Sequence, residues 1–136
     1  MKATKVVATL AFCLLAAGVC FAQNPFIGTW KLNDAKSKFG PGATKNTTVT
    51  YEVSGENTTV TVDGMDSADK PVHNVWTGKL DGEAYPVTGG SADSTRSYRK
   101  IGMRTLAFTE RSGGKITTSG RIVVSADGKS RTVTST

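Results

Sequence analysis

Apolar and polar residues alternate along most of this chain, beginning with Phe26-Ile27-Gly28-Thr29-Trp30-Lys31-Leu32, the pattern of a strand with one buried face. From Lys45 onward short alternating runs follow one another. Val49, Tyr51 and Val53 share a face against Thr48, Thr50 and Glu52; after Ser54-Gly55-Glu56-Asn57, Val60 and Val62 oppose Thr59, Thr61 and Asp63. A looser turn from Ser67 to Lys70 leads to Pro71, which can open a strand but not sit inside a ladder. The next run places Val72, Asn74, Trp76, Gly78 and Leu80 on one face and His73, Val75, Thr77 and Lys79 on the other. Asp81-Gly82 predicts a two-residue hairpin. Around Tyr85 and Val87, Pro86 and Gly89-Gly90 predict a short edge or bulged strand. Residues 94–101 alternate less cleanly, Leu106 and Phe108 resume the pattern, and Gly113-Gly114 turns the chain. Ile116, Thr118, Gly120, Ile122 and Val124 then share one face of a long strand, and Asp127-Gly128 leads to a last strand around Val133. Helical periodicity is absent from residue 23 onward.

Short strands joined by tight turns, with no crossover helices, predict an all-β fold: a single antiparallel up-and-down meander of about eight or nine strands that closes into a small barrel. A two-layer sandwich is the competing arrangement. Closure is favoured because the apolar side chains gather on one face, and a sheet of this length hides them by curling. Gly78, Thr118 and Gly120 among them imply room inside, and a barrel of about eight strands is either just filled or just able to hold one small ligand.

The opening strand resembles the first strand of the lipocalin and fatty-acid-binding barrels, whose Gly-x-Trp mark stands here as Gly28 and Trp30. The resemblance implies that the tryptophan plugs one end of the barrel and that the glycine lets the chain pack beside it. The longer phrase Asn24-Pro25-Phe26-Ile27-Gly28-Thr29-Trp30-Lys31-Leu32, continued by Asn33-Asp34-Ala35-Lys36-Ser37-Lys38-Phe39, is similar to small exported bacterial proteins described as lipocalin-like. Two departures stand out. The fatty-acid carriers follow this opening with two lid helices, whereas here a short stretch containing Gly40-Pro41-Gly42 separates Leu32 from the next strand, which excludes a helical portal. The look-alike sequences also continue for about one more strand beyond Val133-Thr134-Ser135-Thr136, which implies a seam that is open or a shortened chain.

Residues 1–22 carry the marks of a signal peptide: Lys2 and Lys5 ahead of an apolar core from Val6 to Val19, with Cys20 and Ala22 placed for cleavage after Ala22. That core is short for a transmembrane helix. A lipid anchor on Cys20 is the rival reading, weakened by Val19 where a small residue is usual. The mature domain is then 23–136, periplasmic or secreted, with both cysteines, Cys13 and Cys20, removed and no disulfide or zinc-thiolate chemistry left. Taking the two leader lysines from 17 basic residues leaves 15 against 11 acidic, a net of +4 in place of +6. Arg96, Arg99, Lys100 and Arg104 form a basic stretch that either attracts an anion or is a solvated strand face.

Catalytic constellations are not visible. The one histidine, His73, falls on the outward face, away from any serine-base arrangement, so no enzyme is expected. Asp63, Asp66 and Asp69 lack the spacing of a calcium loop. Asn46-Thr47-Thr48 and Asn57-Thr58-Thr59 are glycosylation sequons by pattern, expected bare in a bacterial protein. Two functions lead, with an enzyme a distant third: a barrel that binds a lipid or other small apolar or amphipathic molecule, and an envelope or protein-interaction module with a filled barrel. For the first, the expected ligand-binding residues are Tyr51, Asn74, Trp76, Tyr85 and Phe108, with Arg96 and Arg99 holding an anionic head group. No cofactor, nucleic acid or transmembrane segment is expected, and a protein partner cannot be named from the chain.

Overall fold

A computed structural model of the protein describes residues 6–12 and 24–136. Lys2, Lys5, Cys13, Cys20 and the expected cleavage point after Ala22 lie outside the described residues. The architecture is all-β and antiparallel. One strand, β1, spans Val6–Phe12; nine follow as β2 (Gly28–Leu32), β3 (Lys45–Ser54), β4 (Asn57–Met65), β5 (Pro71–Gly78), β6 (Tyr85–Thr88), β7 (Ser94–Gly102), β8 (Thr105–Ser112), β9 (Lys115–Val124) and β10 (Ser130–Ser135). From β2 to β10 each strand pairs with the next in sequence, the meander that the alternation predicts, and it curls into a nearly closed barrel. β1 lies between β2 and β10 and pairs antiparallel with both.

Turn chemistry sets most of the register. Gly113 and Gly114 have φ of 59° and 84°, the paired positive angles of a type I′ hairpin, and hold Ser112 opposite Lys115. The hairpin expected at Asp81-Gly82 does not form. The connection runs instead from 79 to 84, because the Asp81 carboxylate accepts from Glu83 N–H (2.9 Å) and the Tyr85 hydroxyl (2.9 Å), while Gly82 N–H reaches Tyr98 C=O (2.8 Å). An Asp that bonds its own loop stabilises a wider turn than two residues permit. β6 is short, as Pro86 and the glycines after it predict, with two register pairs to each neighbour.

The core is one cluster along the barrel axis: Phe26, Trp30, Val49, Tyr51, Val60, Val62, Trp76, Tyr98, Leu106, Ile122 and Val124 are buried. Trp30 is fully enclosed, and its indole N–H donates to Phe26 C=O (3.0 Å). Gly28 has φ of 128°, a backbone conformation that glycine adopts freely and L side chains resist. A register shift between Glu110 and Arg111 breaks the phase of β9, and Ile116 is exposed although Ile122 and Val124 remain inside.

Neither glycine expected to leave interior space does so. A Cβ on Gly78 meets the Tyr85 ring, and one on Gly120 meets the Thr134 carbonyl of β10. Close approach of neighbours fills both gaps, so room inside the barrel comes from elsewhere. No described helix is long and apolar enough to cross a membrane.

Candidate functional site

The cavity opens among the segments that precede β3 and follow β6. Its volume is about 840 Å³, and its rim carries Gly42, Ala43 and Thr44 before β3 and Gly89 to Ser91 after β6. No lid helices stand there. A single 3-10 turn, Asp34–Lys36, follows β2, and the loop after it brings Phe39 to the cavity with the Lys45 ammonium 5.1 Å from its ring centre. Apolar wall is supplied by Val49, Val62, Val72, Val87, Phe108 and Ile122. Such a volume and mixed lining fall within the range of small-molecule sites.

Two arginines stand inside the wall, and their surroundings differ. Arg96 on β7 is 5% exposed; its Nε donates to Glu110 Oε2 (2.7 Å) and a terminal nitrogen donates to Asn74 Oδ1 (3.0 Å). Burial works against its charge, but the Tyr98 phenol and the Glu110 carboxylate outweigh that and move its pKa upward. The Tyr98 hydroxyl is pushed above the ordinary phenol value by burial, then by neighbouring Tyr51, and stays neutral. Arg96 is a neutralised structural strut linking β5, β7 and β8.

Arg131 on β10 is 3% exposed and has no such counterweight. Its guanidinium lies 5.3 Å from the Trp30 ring centre and 5.1 Å from that of Tyr51, and one terminal nitrogen donates to the Tyr51 hydroxyl (3.0 Å). No described carboxylate forms an ion pair with it. Its Nε is the one buried side-chain polar atom among the described residues with no hydrogen-bond partner. A desolvated cation favours an anion strongly, and ring faces compensate only part of its lost hydration.

Of the residues singled out in the sequence, Tyr51, Asn74, Arg96 and Phe108 line the cavity. Trp76, Tyr85 and Arg99 stand off it. Trp76 is fully buried with its indole N–H on Arg96 C=O (2.7 Å), and Tyr85 packs edge-on against it at 5.6 Å. Arg99 is exposed and covers Gly82 from outside. An odd spacing puts Arg96 and Arg99 on opposite faces of one strand, so the basic stretch divides across the wall. Arg131 was not among the expected residues, yet it is two positions from inward Val133 and its phase was available from alternation alone.

His73 and the acidic residues near it make local contacts. His73 is exposed and pairs through Nδ1 with Asp63 at 2.6 Å, while Asp66 accepts from the backbone N–H groups of Ala68 and Lys70. Among the described residues no three metal-ligating side chains converge. No family model, curated protein or solved structure matches this chain.

Proposed function

We propose that the protein is an exported, lipocalin-like binder that holds one small amphipathic anion in its barrel, with the head group on Arg131 and Tyr51. The carrying observation is Arg131: a buried guanidinium with no carboxylate partner among the described residues and a free Nε, on the wall of an open cavity. Val49, Val62, Val72 and Phe108 offer the tail an apolar lining toward the rim. The barrel order and the Gly28-Trp30 pair support the lipocalin-like assignment.

Titration with a fluorescent fatty-acid analogue tests this reading. Saturable micromolar binding is expected, and Arg131→Met should weaken the carboxylate probe at least about tenfold while leaving its neutral alcohol counterpart within about twofold, as loss of one charge-assisted pair requires. No saturable binding of either probe by folded protein would sink the proposal. A second reading, an interaction module acting through its outer surface, is favoured by exposed Ile101, Met103 and Val123, of which Met103 is 80% exposed. Native mass spectrometry separates the two: a co-purified small molecule supports the binder, and a stoichiometric protein partner supports the module.

A further inference from the structure

The nine strands from β2 to β10 are an odd number, so in an up-and-down meander the first and last run in the same direction. An all-antiparallel barrel needs one more. β1 supplies it, entering between β2 and β10 and running antiparallel to each. Its register is extensive on one side, from Val6 opposite Ser135 to Ala11 opposite Ser130, and on the other joins Leu10 to Leu32, Ala11 to Lys31 and Phe12 to Trp30.

These are residues that the sequence also marks as leader. Val-Val-Ala-Thr-Leu-Ala-Phe is apolar, uncharged and free of glycine and proline, which suits the core of an export signal and a buried strand alike. The two edges it meets are open in character. β10, Ser-Arg-Thr-Val-Thr-Ser, has no proline or lysine, and its one charged residue, Arg131, is buried inside the barrel; β2 carries a single exposed lysine, Lys31. Strands meant to stay as free edges normally carry blunting devices. Without β1 the two edges stand two strand spacings apart, about 10 Å, which fits one extended chain.

We propose that Val6–Phe12 is a built-in closing strand, so that the unprocessed chain completes its barrel with part of its own leader, and leader removal opens a strand-accepting slot between β2 and β10. Closure and export processing then compete for the same residues. The proposal is independent of what the cavity binds, since it concerns backbone pairing at the seam.

Cysteine cross-linking in the full chain tests the register directly, in a background where Cys13→Ser and Cys20→Ser remove the native thiols. Under mild oxidation Ala8→Cys should bond within the chain to Val133→Cys, and Ala11→Cys to Ser130→Cys, whereas Ala8→Cys paired with Ser130→Cys should react at least tenfold more slowly. Equal rates for the three pairs overturn the closing-strand register, and cross-links found only between chains overturn closure within one chain. In a second measurement, Ala8→Pro removes an N–H of β1 that faces β10, and amide hydrogen exchange should speed at Arg131 and Val133, which face β1, but not at β4. A synthetic peptide of residues 6–12 flanked by lysines should restore that protection in the variant. Failure to restore it in a folded variant overturns the strand-accepting slot.

Discussion

The Arg131 guanidinium lies over the buried Trp30 ring, and substitution separates their roles. Trp30 is fully buried and bonded to Phe26, so Trp30→Ala removes a large apolar body that its neighbours cannot refill. The expected loss is about 3–5 kcal/mol in a denaturant titration, a large part of a small domain's stability. Arg131→Met acts differently. It gives up ring contacts worth roughly 2 kcal/mol each when desolvated, but also relieves a charge whose burial costs several kcal/mol. The denaturation midpoint of Arg131→Met should therefore stay within about 1 kcal/mol of the parent, by the near-cancellation of those two effects. A loss as large as that of Trp30→Ala would make Arg131 a structural clamp rather than a waiting receptor.

At the level of elements, alternation and turn residues made the meander legible, because one buried face imposes period two and glycine pairs mark hairpins. Three features escaped that logic. The Asp81 loop is stabilised by side-chain bonds to Glu83 N–H and Tyr85, which a Asp-Gly signal does not disclose. The irregularity between Glu110 and Arg111 shifts phase without a distinctive residue, turning Ile116 outward. The cavity wall depended on which aromatics packed on one another, and Tyr85 against Trp76 took both away from it. Where the turn signal is right it should be testable alone: Gly114 has φ of 84° and open space around a Cβ, so Gly114→Val should cost about 1–2 kcal/mol through backbone strain, while Gly114→Asn should cost less. Equal stability of Val and Gly variants by thermal unfolding would remove the type I′ assignment. The Asp127 turn offers a pH signature. Bonds from the Ser125 hydroxyl, then from Lys129 N–H, lower the Asp127 pKa below its ordinary value. A lowered folded pKa contributes stability that is present above the unfolded value and lost as pH falls through the folded one. The Lys129 amide shift should titrate with a midpoint below the ordinary aspartate value; a midpoint at or above it would show that the carboxylate is not held in the turn.

For the whole molecule, the barrel divides its positive charge between two electrostatic settings. Arg99 and Lys100 face water, where salt screens attraction within about 8–10 Å, whereas Arg131 is 3% exposed on the cavity wall, where screening is weaker. A head group held by the exposed basic stretch would be weakened by salt, whereas one held by Arg131, as proposed, would be weakened little at equilibrium. Residual steering by the exposed cations changes the association rate and its salt dependence more than the affinity. Raising sodium chloride from low to near-molar concentration should therefore slow association of a carboxylate probe while its Kd changes by no more than about twofold, since contacts buried beyond solvent are screened least. Arg99→Gln should reduce the salt dependence of the association rate and leave the Kd in place. Stopped-flow and equilibrium titrations on the same samples decide the matter. A Kd that rises steeply with salt, and does so less in Arg99→Gln, would move the head group from the barrel interior to its outer face.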